Sequence, residues 1–116
     1  MRTVDLTFGW LLVVGSLLHG VGSVVGYRDM PVTLVWSLSG TLAGLLLASL
    51  NLLRARRPGD RGLAWVSFGG CLGWIAVALG FGAVSGNIFD VRALIHAVNA
   101  VVLASMSLRT AMAARP

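Results

Sequence analysis

The chain has 116 residues, of which 57% are hydrophobic and 11% charged, and its formal net charge is +5. Soluble domains carry about 25% charged residues, so the composition excludes an ordinary water-soluble fold, and the length allows one domain. A mean hydropathy of +0.87 points the same way.

Uncharged runs cover 6–27, 30–53 and 62–89, and a fourth apolar run covers 93–108 between Arg92 and Arg109. A helix rising 1.5 Å per residue needs about 20 apolar residues to cross a hydrocarbon core of about 30 Å. The fourth run reaches that length if its flanking arginines snorkel to the interfaces. The spacing therefore predicts an all-α, integral membrane up-down four-helix bundle over 1–116, with spans at roughly 5–26, 31–53, 62–85 and 90–112. A β-barrel would need many alternating segments of about ten residues, and alternation is absent.

Span one contains 17-LLHGVGSVVG-26, a histidine among glycines and serines. Its apolar run is long for a signal peptide and no clean small-x-small cleavage site follows, so it is expected to be retained. Span two follows Pro31 and ends at 54-RARRPGDR-61, where Pro-Gly marks a turn. Span three holds the single cysteine, Cys71, which lacks a disulfide partner or metal-type spacing and is expected to pack. Span four carries His96 and Asn99. The short connections at 27–30 and 86–89 predict two antiparallel hairpins. Two matches suggest that these hairpins are relatives. Trp10 and Trp65 open spans one and three, and Leu47-Ala48-Ser49-Leu50 recurs as Leu103-Ala104-Ser105-Met106.

The basic residues are arranged as a topology signal rather than as a nucleic-acid site. Arg2, Arg54, Arg56, Arg57, Arg61, Arg109 and Arg115 fall at one end of an even number of spans, while Arg28 and Arg92 fall at the other, each close to an aspartate. This positive-inside pattern predicts a multi-pass bacterial inner-membrane protein with N- and C-termini cytoplasmic. The RARR loop could also touch anionic lipid headgroups. All basic residues are arginine, with no lysine or glutamate, which suggests a GC-rich bacterial genome. Trp10, Trp65, Trp36 and Tyr27 are expected as interfacial anchors, with Trp74 deeper, near the histidines and in want of an acceptor for its indole N–H.

The four carboxylates, Asp5, Asp29, Asp60 and Asp90, each lie close to the start of a predicted helix. A helix N-cap role, accepting from orphan N–H groups at the positive end of the dipole, would account for all of them. No carboxylate pair then remains for general acid–base work, and no acid within a span for proton-coupled transport. Nucleophile, zinc-protease, phosphate-loop and Cys-x-x-Cys motifs are missing. In length and span number the chain resembles the small multidrug resistance transporters. That family relies on a glutamate in its first span, and no glutamate exists here.

Helical periodicity groups Gly15, Ser16, His19, Gly22, Ser23 and Gly26 on one face of span one. Thr33, Ser37, Gly40, Gly44, Ala48 and Asn51 share a face of span two. Gly69, Gly73, Ala76, Gly80 and Ala83 do so in span three, and Arg92, His96, Asn99 and Ser107 in span four. These small and polar faces are expected to turn inward, because lipid supplies no hydrophobic drive and helices associate through close packing and hydrogen bonds.

His19 and His96 are then expected to face one another at equal depth, about 10 Å below the outer surface. Their plainest role is helix-to-helix hydrogen bonding. A bis-histidine b-type haem, with Arg28 and Arg92 above for its carboxylates and His19 and His96 on the iron, is the alternative, as is a quinone held by one ring. A small transporter or proton path through His19, His96 and Asn99 is a third. With little chain outside the bilayer and no catalytic set, the sequence is read as a non-enzymatic accessory or scaffold component. Its expected partners are the lipid bilayer and either a second copy or another membrane protein, and no nucleic acid.

Overall fold

The computed structural model describes residues 1–113; Arg115 lies outside them. Four helices run through the chain: α1 (Arg2–Tyr27), α2 (Pro31–Arg56), α3 (Arg61–Val84) and α4 (Val91–Met112). Each is long and apolar enough to cross a membrane. They pack as an up-down bundle 55 × 23 × 21 Å in extent. The tightest pairings are α1 with α2 and α3 with α4, as short connections require. The bundle closes through α1 with α4 and α2 with α3, and α2 touches α4 across the diagonal.

The helix ends have local causes. Pro31 opens α2 with its fixed φ and missing N–H. Asp60 caps α3 by accepting from the Leu63 N–H at 2.9 Å, and Asp90 caps α4 by accepting from the Arg92 N–H at 2.9 Å. α3 stops in a Schellman motif: Gly86 takes φ +79°, its N–H reaches Ala83 O at 3.2 Å, and the Asn87 N–H reaches Gly82 O at 2.9 Å.

Two of the expected caps are corrected. Asp5 sits inside the first turn of α1, which starts at Arg2, and its carboxylate turns into the bundle. Asp29 makes no cap hydrogen bond, because Met30 holds the N-cap position of α2. Its only charge partner among the described residues is Arg28, Nε to Oδ2 at 3.7 Å, and both are exposed. The polar loop is also shorter than 54–61, because α2 continues through Arg56 and carries Arg54 and Arg56 on helical backbone.

One residue from each helix builds the centre of the core: Leu12, Leu47, Cys71 and Leu103, with Ala48 and Ala104 between them. The buried positions repeat. Gly9, Leu12, Ser16 and Ser23 of α1 are matched at a constant offset by Ala64, Ser67, Cys71 and Ala78 of α3. Gly44, Leu47, Ala48 and Asn51 of α2 are matched in the same way by Ala100, Leu103, Ala104 and Ser107 of α4. The hairpins are thus related by an approximate twofold along the bundle axis, the arrangement of a parallel repeat. Ser49 and Ser105 share even their hydrogen bond, each hydroxyl donating to the carbonyl four residues back, at 2.8 and 2.9 Å.

The inward faces hold in part. Ser16, Ser23, Gly44, Ala48, Asn51, Asn99 and Ser107 are buried. The small face of α3 is a correction: Gly69, Gly73, Ala76 and Gly80 are exposed, and a Cβ at any of the three glycines would meet nothing within 4 Å. Ala64, Ser67, Cys71, Ala78 and Gly82 face the bundle instead. Gly22 and Gly26 also meet open space.

Where glycine does admit a neighbour, the approach is close. A Cβ at Gly44 would collide with Ser16 Oγ and come within 3.2 Å of the Trp74 ring. Gly44→Ala should therefore cost about 1–3 kcal/mol through overpacking, while Gly73→Ala should be neutral or slightly stabilising. Reversible unfolding in mixed detergent micelles separates the two.

Candidate functional site

The most elaborate polar arrangement lies at the arginine-rich end of the bundle. Arg54 is 1% exposed, the largest fully buried side chain described. Its Nη1 donates to Asp5 Oδ2 at 2.9 Å and to Thr110 Oγ1 at 3.3 Å. Its Nη2 donates to Asp5 Oδ1 and, at 3.3 Å, to Asn51 Oδ1. Asn51 also accepts from Ser107 Oγ at 3.2 Å and donates to Cys71 Sγ at 3.5 Å. The network so joins α1, α2, α3 and α4 in one layer. The partners Asn51–Ser107 and Arg54–Thr110 are both 56 residues apart, so equivalent positions of α2 and α4 meet on the pseudo-twofold axis. Outside this layer, Arg61 Nε donates to Ala111 O at 2.8 Å and ties the start of α3 to the end of α4.

Asp5 and Arg54 were legible as charged residues but not as a pair. Placed near a helix start and in a loop, each had a sufficient local explanation. The periodicity of α2 held a usable signal, since Arg54 continues the face of Ala48 and Asn51.

His19 is exposed on α1 and His96 is half-buried on α4, and each has its own neighbours. His19 Nδ1 hydrogen-bonds Thr41 Oγ1 of α2 at 2.9 Å, and its Cε1 lies over Gly40. His96 packs against Gly15 of α1, one helical turn from His19 towards the arginine-rich end, and makes an edge-to-face contact with Trp74 at 5.8 Å between ring centroids. The rings therefore rest on different neighbours rather than meeting at equal depth. In the repeat, His19 corresponds to Trp74 and His96 to Gly40, so the two are not equivalent positions. Gly15 leaves room for the edge of the His96 ring, 3.3 Å from where a Cβ would stand, and Trp74 fills the other side. Trp74 Nε1 and Ser16 Oγ are buried without a hydrogen-bond partner among the described residues.

Asn99 does not join the histidines. Its amide lies against the α1 backbone, near Phe8 O and Leu12 N, and turning the amide nitrogen towards Phe8 O, at 3.1 Å, and the oxygen towards Leu12 N, at 3.2 Å, satisfies both groups. Arg28 and Arg92 lie at the far end and are turned outward. Arg92 donates to both oxygens of Asp90, at 3.0 and 2.8 Å, and lies 5.4 Å over the Phe81 ring. Among the described residues no group of three potential metal ligands occurs.

Two surface cavities are notable. One, of about 410 Å³, opens at the arginine-rich end against Asp5 and Arg54. The other, of about 500 Å³, is an apolar groove between α1 and α4, floored by Gly15 and Asn99. Neither histidine lines either cavity.

Comparison with known proteins finds no matching family model, no matching curated protein and no matching solved structure.

Removing one partner of the buried pair should cost about 3–5 kcal/mol, because the other charge is left desolvated and unpaired. Asp5→Asn and Arg54→Met should each show this loss in detergent unfolding, and the double variant Asp5→Leu/Arg54→Met should recover most of it. At the other end, the Arg92 guanidinium and the cap hydrogen bonds hold the Asp90 carboxyl down at about 2. The capping stabilisation is complete above the ordinary aspartate value of about 3.9 and is lost as pH falls through about 2. Carboxyl NMR titration should show this midpoint and its rise in Arg92→Gln.

Proposed function

We propose that the protein is a non-enzymatic accessory or scaffold component of the bacterial inner membrane, with both termini cytoplasmic, that packs with itself or into a larger membrane complex. The observation that carries this reading is the outward face of α3. Gly69, Gly73, Ala76 and Gly80 form an exposed strip of small residues along a helix that lipid would otherwise cover. Large apolar side chains cover lipid-facing surface well; small residues let a second helix approach, and they are enriched where membrane helices meet. Exposed Leu72, Val66 and Val77 flank the strip and would pack beside an incoming helix.

The rest of the bundle supports a structural role. Both histidines and Asn99 are engaged with helix partners, as helix-joining residues would be. The arginines at the end holding the N-terminus support the cytoplasmic orientation through the positive-inside rule.

Gly73→Leu separates fold from assembly. Its side chain enters open space, so the isolated chain should unfold at an unchanged midpoint. Light scattering in mild detergent, or recovery of partners from native membranes, should show the wild-type assembly lost. Equal assembly of wild type and Gly73→Leu would sink the proposed interface. His19→Gln and His96→Asn should leave assembly intact. A Soret band in purified protein that disappears in His19→Ala and His96→Ala would replace the scaffold reading with a redox module.

A further inference from the structure

We infer that the cavity at the arginine-rich end is a binding site for a phosphate-bearing anion, supplied either by an anionic phospholipid headgroup or by a soluble phosphate ester. Arg2, Arg56 and Arg109 would grip it, over a floor made by the Arg54–Asp5 pair. The cavity of about 410 Å³ is lined by all five residues. Among the described residues Asp5 is its only acid, and it is committed to Arg54. Arg2, Arg56 and Arg109 form no ion pair among the described residues, although three other arginines do. The cavity therefore carries three uncompensated guanidinium groups around one opening.

Local helix electrostatics accounts for part of this. Arg56 and Arg109 lie in the last turns of α2 and α4, where a cation complements the dipole. It does not account for Arg2, at the positive end of α1, or for convergence of all three on one cavity. The repeat supplies a second observation. The position equivalent to Arg54 in the other hairpin is Thr110, and that of Asn51 is Ser107, so only one hairpin places a charge in this layer. Arg54 is 1% exposed, and its Nε is buried with no partner among the described residues. Paired with Asp5 it carries no net charge to the cavity, but it fixes the floor on which the exposed arginines stand.

Phosphate suits this arrangement better than carboxylate. Its several acceptor oxygens can take paired N–H bonds from more than one guanidinium, and arginine forks match that geometry. The cavity also stands at a helix terminus, where lipid phosphates lie, and basic pockets between membrane helices are known to take anionic headgroups. Met106 on its wall offers an apolar surface for the glycerol or acyl portion.

The test is thermal unfolding of the full chain in a neutral detergent, titrated separately with phosphatidylglycerol, phosphatidylcholine and glycerol 3-phosphate. The three gripping arginines are exposed, so glutamine at those positions leaves the packing intact. Phosphatidylglycerol is expected to raise the midpoint saturably, phosphatidylcholine to do nothing, and apparent affinity to fall about fivefold per arginine removed. Arg28→Gln and Arg92→Gln, at the opposite end, should bind as wild type. Saturable stabilisation by glycerol 3-phosphate alone would assign the site to a soluble ester. No saturable effect from either phosphate compound, or an undiminished effect in Arg2→Gln/Arg56→Gln/Arg109→Gln, overturns the inference.

Discussion

Withdrawing a guanidinium from water costs several kcal/mol even after the protein relaxes, and the cost is offset only by a partner held in good geometry. Arg54 meets that condition with a two-pronged Asp5 carboxylate, the Thr110 hydroxyl and the Asn51 amide oxygen. The register of α1, α2 and α4 is set where those groups converge. Asn51 extends the constraint to α3 through Cys71. Leu12, Leu47, Cys71 and Leu103 then stack in the adjacent layer, where the polar network has brought four helices to one height. In lipid this matters more than in water, because apolar side chains gain little by leaving the hydrocarbon.

The repeat explains why the network has its particular members. Two hairpins related along the bundle axis bring equivalent positions of α2 and α4 together, so Asn51 faces Ser107 and Arg54 faces Thr110. Had both halves kept arginine there, two like charges would share one buried site, which is costly. The asymmetry is therefore a physical requirement of the axis once one half carries the charge. The same correspondence sets His19 in the place of Trp74 and His96 in the place of Gly40. Each hairpin thus carries one imidazole at a non-equivalent point, His19 exposed over Gly40 and His96 half-buried against Gly15 and Trp74.

Small residues serve two purposes in this chain. Gly15, Gly44 and Gly70 admit His96, Ser16 and Leu47 from neighbouring helices. Gly69, Gly73 and Gly80 admit nothing within the chain. Both sets belong to small-residue faces with a helical period, so periodicity reports a small face without stating what covers it. The expectation that the α3 stripe would turn inward failed for that reason. α3 is apolar on every side, and its orientation was settled by Ser67, Cys71 and the alanines that complement α2 and α4.

The sequence by itself determined the four spans and the two hairpins, because charge-free length against bilayer thickness admits few alternatives. Asp60 and Asp90 as caps were equally legible, since a cap bonds to its own first turn. Rotation of each helix about its axis, and therefore the identity of every long-range partner, was decided only by the tertiary structure. Asp5 and Arg54 lie 49 residues apart and each had an adequate local role, so nothing in either segment disclosed the pair. His19 and His96 looked like partners because span length places both in the same half of the bundle. Thr41 holds one ring and Gly15 and Trp74 hold the other, because an imidazole goes where a neighbouring helix offers a hydrogen bond or a glycine gap, and that is a property of two helices at once.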